Sequence, residues 1–313
     1  MVRHIARRLL LAIPTLLAVF TIIFVIVRIA PGDPAVAALG DYASAEAVAA
    51  LRERMGLNAP LWQQYLTFLG DLVRGDLGDS LISGKPVAEQ IAFVLPYTLE
   101  LTLAAIVIGL ILGIPTGIIT AIRRNTTTDY VGRALSLLGL SFPAFYLGIL
   151  LMFFFAVKLD LFPAVGSAPF SEPAQNLHYL ALPALTLGLI ETAYIARMTR
   201  SVMLTILSDD YIRTARAKGL EEWIVLIKHA LRAALIPIVS LVGIFAISLI
   251  GSSVLVEEVF ARPGLGKLMV GATKQKDYTM LQSIMVVYAL IIVIINMVVD
   301  IIYTYVDPRV RYS

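Results

Sequence analysis

The stretch TLELTLAAIVIGLILGIPTGIITAI, residues 98–122, contains one charged residue, Glu100, which lies near its start. A helix needs about 20 consecutive apolar residues to cross the roughly 30 Å of bilayer hydrocarbon, and this stretch is long enough. Five further stretches have the same character, and they cover residues 9–30, 135–157, 180–198, 237–256 and 281–306. The sequence therefore predicts an all-α membrane protein with six transmembrane helices.

The composition agrees with this prediction. Of all residues, 59% are hydrophobic and 15% are charged, and the mean hydropathy is +0.85, whereas soluble domains carry about 25% charged residues. The net charge of +3 comes without the clustered basic face of a nucleic-acid-binding protein, so no nucleic acid partner is expected. The chain has no cysteine and its three histidines are scattered, so no metal site is expected either.

The positions of Lys and Arg predict the orientation. The first apolar run is longer than the core of a signal peptide, so we expect it to remain as the first span. Basic residues are concentrated at the N-terminus, in the loops after the second and fourth spans, and in the tail. Because basic loops usually remain in the cytoplasm, both termini are expected to be cytoplasmic.

We divide the chain into three parts. Residues 1–30 hold the N-terminus and the first transmembrane helix, residues 31–97 form an external loop, and residues 98–313 form a five-helix core. Within the external loop, Ser44 is expected to cap one short helix, and a second is expected to begin after Pro60.

Two features of the spans indicate how the helices pack. Gly109, Gly113 and Gly117 recur every four residues, and such a stripe of small residues lets another helix approach closely. Glu191 is the most central ionisable residue, and a charge at mid-bilayer costs roughly 2.5–3.5 kcal/mol on insertion scales. It is expected either to form a buried ion pair with Arg197 or Arg200, or to lie on the translocation path.

Three further candidates for the path are expected near one face of the fifth span: Ser248, Ser252 and Glu257. Ordinary hydrogen bonding between helices is the alternative role for these side chains.

The loop SDDYIRTARAKGLEEWIVLIKHALRAALIP, residues 208–237, has the most distinctive pattern. Its acidic start predicts a short basic helix, residues 211–218, that ends at Gly219. A second, amphipathic helix is predicted from Glu221 toward Ala234, and Pro237 is expected to open the fifth span. Basic residues alone could reflect topology, but a compact helix with a small-residue face, Ala215 and Ala217, suggests docking into a partner.

This loop resembles the cytoplasmic coupling loop of ABC import permeases. Arg213, Thr214 and Ala215 precede Gly219 at the family's spacing, with Arg213 replacing the usual glutamate, and residues 235–237 (Leu-Ile-Pro) end the motif. YIRTARAKGL resembles the binding-protein-dependent dipeptide, oligopeptide and nickel branch, and further matches run along most of the chain. They are Pro31-Gly32-Asp33-Pro34, MGLNAPLWQQY (55–65), RGDLGDS (74–80), VEEVFARPGLGKL (256–268) and Asp307-Pro308-Arg309.

The resemblance, which is to the B-type permease subunit, implies a type I importer fold and a half-channel in the bacterial cytoplasmic (inner) membrane. It also implies a homologous second permease, most often a different chain, two cytoplasmic ATPases and an external substrate-binding protein. The chain has no G-x-x-x-x-G-K-[ST] loop, so it is not expected to be an enzyme or to bind a cofactor, and ATP and Mg are expected on the partner ATPases. The coupling residues implied are Tyr211, Arg213, Thr214, Ala215, Ala217, Lys218, Gly219, Leu220 and Pro237.

Two other classes of function remain open at this point. A secondary transporter or channel that works without an ATPase would show the same hydropathy, and dependence of transport on a partner ATPase would separate it from an importer subunit. An intramembrane enzyme would need a catalytic group within the bilayer, and no histidine lies in the middle of a span.

Overall fold

The computed structural model describes residues 2–29, 33–40 and 43–306, which are almost entirely helical. In these ranges the only β pairing is an isolated antiparallel bridge between Asp79 and Pro86. The helices are α1 (Val2–Ile29), α2 (Pro34–Leu39), α3 (Ala45–Arg54), α4 (Leu61–Arg74), α5 (Val87–Ile122), α6 (Thr127–Ser141), α7 (Ala144–Leu151), α8 (Pro173–Leu207), α9 (Asp210–Ala217), α10 (Glu222–Ile224), α11 (Arg232–Val259), α12 (Leu265–Gln275) and α13 (Tyr278–Val306).

Five continuous helical stretches are long and apolar enough to cross a membrane, and they match five of the six predicted spans. They are Leu10–Ile29, Val87–Ile122, Pro173–Leu207, Glu222–Val259 and Tyr278–Ile302. The predicted third span is not one straight helix, because α6 and the helix that follows it, Ala144–Lys158, meet at 104°. Proline disfavours helical backbone in the residue before it, and Phe142, which precedes Pro143, is extended with φ −89° and ψ 131°.

The prediction that Pro237 opens the fifth span is wrong. Pro237 lies inside α11, and the helix continues backward through a π-helical segment, Val225–Leu231, to α10. Transmembrane helices tolerate an interior proline where neighbouring groups compensate for the lost backbone hydrogen bond. The fifth span therefore begins earlier than the sequence indicated, directly after the loop that follows α9.

The chain folds as two compact units. The core unit contains Tyr97–Arg262 and residues 295–306, and the N-terminal unit contains Val2–Pro96 and Pro263–Ile294.

In the core unit, the predicted glycine stripe packs against α8. A Cβ atom added to Gly109 or Gly113 would lie 2.8 Å from the Cβ of Glu191 or Ile195 respectively, and one added to Gly117 would lie 2.5 Å from the Cβ of Thr199. Such separations leave no room for any side chain. The expected close approach of a second helix is thus confirmed, and its partner residues also recur every four positions.

In the N-terminal unit, the two predicted short helices are confirmed. Ser44 caps α3 by accepting a hydrogen bond from the Ala47 N–H, and α4 begins directly after Pro60. The structure adds α2, which Asp33 caps through the Ala35 N–H; a six-residue helix is too short to show a period.

The segment between α4 and α5 is fastened to the start of α13 by side-chain hydrogen bonds within this unit. The Ser80 hydroxyl donates to Asp277 (2.6 Å), and the Ser283 hydroxyl donates to the carbonyl of Leu77 (2.8 Å). Two of the family-like motifs, Pro31-Gly32 and Asp307-Pro308-Arg309, lie outside the described residues.

Candidate functional site: the α9 helix and the polar groups of the core unit

The predicted helix in the loop after the fourth span is α9, and it ends as the sequence indicated. Its last residue is Ala217, and Gly219 follows with φ +75°. This left-handed conformation costs other L-residues about 1–2 kcal/mol, so glycine permits the chain to leave the helix here.

One face of α9 is anchored in the core unit. Ile212 is completely buried and Ala215 is nearly so, and both belong to an apolar cluster. The other buried members of this cluster are Ala121, Met203, Val225, Ala230, Ala234 and Ile238. The expectation that Ala215 and Ala217 share a docking face is therefore wrong: Ala215 packs inside the chain, and only Ala217 is exposed.

The opposite face of α9 is open to a partner. We define the coupling surface as seven exposed residues of α9 and of the turn that follows it: Tyr211, Arg213, Thr214, Ala217, Lys218, Gly219 and Leu220. Arg213 pairs with Asp210 one turn earlier, and the Thr214 hydroxyl donates to the Asp210 carbonyl at 2.9 Å. Burial and the neighbouring Asp209 raise the pKa of Tyr211 above its ordinary value.

The loop after α9 is closed by an ion pair that the sequence did not reveal. Arg216 donates to both carboxylate oxygens of Glu222, at 2.7 and 3.1 Å, and this hydrogen bonding raises the pKa of Arg216. Arg216 belongs to α9 and Glu222 is the first residue of α10. The pair therefore ties α9 to the start of the fifth span, because helix continues from Glu222 to Val259.

The predicted ion pair of Glu191 is absent. Arg200 instead binds Asp129 through two hydrogen bonds of 2.7 and 2.9 Å, and the Arg197 guanidinium lies over the ring of Tyr194. Glu191 is 4% exposed, and no hydrogen bond or ion pair joins its carboxylate to another residue in the described ranges. Arg200 thus pairs with Asp129 and not with Glu191. The two residues are 71 positions apart in the chain, so only the fold brings them together.

The three path candidates on the fifth span do not share a face. Ser248 and Glu257 are nine residues apart, which is two and a half helical turns, so they point in opposite directions. The Ser252 hydroxyl donates to the Ser248 carbonyl at 3.0 Å, while Glu257 is fully buried and accepts a hydrogen bond from the Thr98 hydroxyl at 2.8 Å. A role on the path for Ser248, Ser252, Glu257 or Glu191 stays a prediction.

Sequence reasoning also missed a buried polar cluster beside Glu257. Arg262 is fully buried and donates to Glu100 at 2.5 Å, whose other oxygen accepts from Asn176 at 2.6 Å. Burial lowers the pKa of Arg262 from its ordinary value, and the nearby Glu100 opposes that change. Arg262 lies in the motif VEEVFARPGLGKL (256–268), but the residues around it in the sequence do not indicate that it is buried.

No group of His, Asp or Glu side chains in the described ranges has the arrangement of a metal site. The core unit thus offers an anchored helix with one exposed face, which a short loop and the Arg216–Glu222 ion pair connect to a long apolar helix.

Comparison with known proteins gives consistent matches along the chain. Residues 113–312 match the family described as "Binding-protein-dependent transport system inner membrane component", and residues 1–102 match the N-terminal family of such membrane components. A glutathione transport system permease protein, GsiC, from Pectobacterium atrosepticum is 42% identical, and a dipeptide transport system permease protein, DppB, from Alkalihalophilus pseudofirmus is 40% identical. Both alignments cover 100% of this chain and of the relative.

A solved structure shares the fold. The inward-facing MetNI methionine ABC transporter contains a chain that aligns with a TM-score of 0.58 and 23% identity, over 69% of this chain and 96% of that one. The all-α permease fold of an importer, expected from the sequence, is confirmed by this likeness.

Proposed function

This chain belongs to the family of binding-protein-dependent transport system inner membrane components, and from that membership we propose that it passes dipeptides, oligopeptides or related small solutes across the bacterial cytoplasmic membrane. The family resemblance inferred from the loop after the fourth span is thereby confirmed. The chain is a permease subunit of an ABC importer; its solute, its exact partners and its orientation belong to the proposal.

The solute class is supported by the relatives that match over their full length. One is a glutathione permease and one is a dipeptide permease, and both substrates are small zwitterionic compounds with peptide bonds. Dipeptides, oligopeptides and glutathione-like compounds are therefore the solutes to test first.

The partners follow from the family and from the coupling surface. An importer of this family works with ATPases and a binding protein. We further propose that the second permease is a different, homologous chain, that two ATPases bind the pair, and that ATP and Mg are held by those ATPases alone. This chain then has no catalytic activity of its own, both its termini lie in the cytoplasm, and α9 faces the ATPases.

The observation that carries the coupling part of the proposal is the connection of α9 to the fifth span. An ATPase that moves on nucleotide binding can displace α9 through its exposed face, and the Arg216–Glu222 pair and the shared apolar cluster pass the displacement to α11. Such a movement is a rigid-body switch between two states, biased by the nucleotide.

Affinity purification from native membranes tests the assembly. We expect a second permease and P-loop ATPases to be recovered with this chain. Recovery of the chain alone, transporting without ATP after reconstitution, would show that it is a secondary transporter or channel.

A charge reversal tests the coupling surface in the reconstituted complex. Arg213→Glu changes an exposed residue of α9, and Arg124→Glu is the matched control, because Arg124 is an exposed basic residue of another loop. We expect Arg213→Glu to abolish ATP-driven uptake of a radiolabelled dipeptide and to lower recovery of the ATPases, with both unaffected in the control. Equal uptake by the two variants would place the ATPase contact elsewhere.

A further inference from the structure

The N-terminal unit contains a cavity of about 710 Å³ that is open to the surface. Its walls come from the end of α1, from α3 and α4, from residues 76–84 and from the first turns of α13. Pockets of about 300–1,000 Å³ are typical of small-molecule sites. No residue of the coupling surface lines this cavity, so it is a separate feature of the chain.

Arg28 supplies the most defined polar group of the cavity wall. Its Nε donates to the Oε1 of Gln64 at 2.8 Å, and its guanidinium carbon lies 5.0 Å from the centroid of the Phe24 ring. These contacts fix the plane of the guanidinium and occupy only Nε. No hydrogen bond or ion pair uses the two terminal nitrogens of Arg28 within the described part of the chain.

The groups that hold Arg28 are themselves held. The side-chain nitrogen of Gln64 donates to the carbonyls of Leu57 (3.2 Å) and Ala59 (2.8 Å), which orients its oxygen toward Arg28. Phe24 packs on the rings of Tyr65 and Phe68. A guanidinium fixed in this way presents two parallel donors, the geometry that binds a carboxylate or phosphate.

The same cavity carries carboxylates that lack strong partners. Asp71 has only a long contact of 3.6 Å with Arg74, and Asp79 forms no hydrogen bond or ion pair through its side chain in the described ranges. Both line the cavity, as does the exposed cation Arg54. Donors for an anion and acceptors for a cation therefore line the same cavity.

We propose that this cavity binds a small zwitterion. The terminal nitrogens of Arg28 donate to its carboxylate or phosphate oxygens, and Asp71 and Asp79 accept from its ammonium group. Two sources share this chemistry: a free amino acid or short peptide, and the headgroup of phosphatidylethanolamine. The binding is a property of the N-terminal unit and does not require the coupling mechanism proposed above.

The test uses the full chain with its permease and ATPase partners, without the binding protein, in nanodiscs of phosphatidylglycerol. Equilibrium dialysis with radiolabelled L-alanyl-L-alanine measures solute binding. Mass spectrometry of the complex purified from native membranes measures retained phosphatidylethanolamine. Arg28→Gln removes the positive charge and the paired guanidinium donors. Thr67→Trp fills the cavity from an exposed wall position. Arg52→Gln is the control, because Arg52 belongs to α3 but does not line the cavity.

We expect the wild type and Arg52→Gln to bind one of the two ligands equally well. We expect Arg28→Gln and Thr67→Trp each to lower the affinity for that ligand about tenfold or more. Saturable dialanine binding identifies a solute site, and retained phosphatidylethanolamine identifies a lipid site. Binding that survives either substitution, or no binding of either ligand by the wild type, overturns the proposal. Because neither readout depends on transport, the result is independent of whether the proposed transport function holds.

Discussion

The α5–α8 interface and the α9 helix are held in place in opposite ways. At the interface, three glycines let two long helices approach until added Cβ atoms would overlap their neighbours. The short α9 is fixed by two apolar side chains, Ile212 and Ala215, and its remaining residues are exposed. A helix held on one face leaves the other face accessible to a partner, whereas the glycine interface has no room for an added side chain. The first region therefore contributes close packing, and the second offers an exposed face on which a partner could act.

The largest effect is expected from Gly117→Val. The new Cβ would lie 2.5 Å from the Cβ of Thr199 and 2.6 Å from the carbonyl of Ala196, and overpacking of this kind costs about 1–3 kcal/mol or more. We expect loss of monodisperse protein in detergent, measured by fluorescence-detected size-exclusion chromatography with a thermal ramp. Gly251→Ala is the control, because nothing lies within 4 Å of the added atom; equal melting of the two variants would contradict the tight interface.

The next effect is expected from Ile212→Ala in α9. Ile212 is fully buried, and deletion of a buried isoleucine side chain to alanine costs about 2–5 kcal/mol. Because α9 has few other anchors, we expect the loss of stability to be confined to α9. Insertion into the membrane should be retained, and ATP-driven uptake should be strongly reduced. Hydrogen exchange of the backbone amides of residues 208–221 measures the stability of α9. Unchanged protection of these amides would show that α9 is held by other contacts.

A smaller effect on stability is expected from Gly219→Leu. The left-handed conformation at this position costs about 1–2 kcal/mol for leucine, although no atom lies within 4 Å of its Cβ. Relief of that strain would extend α9 and misdirect the coupling surface. Normal insertion with loss of binding-protein-stimulated ATPase activity is the expected result, and unchanged transport would separate α9 from coupling.

The smallest effect is expected from the Arg216–Glu222 pair. Both side chains are partly exposed, and such pairs contribute about 0.2–1 kcal/mol. A double-mutant cycle with Arg216→Ala and Glu222→Ala should give a coupling energy in that range, together with a modest decrease in uptake. A value near zero would mean that the apolar cluster alone connects α9 to α11.

The family and the α9 helix could be predicted from the sequence because both depend on local patterns. The end of α9 requires a left-handed residue, and Gly219 is the residue that adopts it most readily. The glycine stripe could likewise be predicted, since residues four apart share a helix face. The start of the fifth span could not, because the π-helical turn before Arg232 depends on packing of Val225 and Ala230 in the same cluster as Ile212.

The sequence by itself determined the membrane class, the number of apolar stretches, the small-residue stripe and the family, since each depends on composition or on spacing along one element. Tertiary structure alone decided which alanine of α9 is buried, which carboxylate binds Arg200, and that Arg262 is enclosed beside Glu100. These contacts join positions far apart in the chain. Helical periodicity gives the face of a helix on which a residue lies, but the packing of neighbouring helices decides what that face meets.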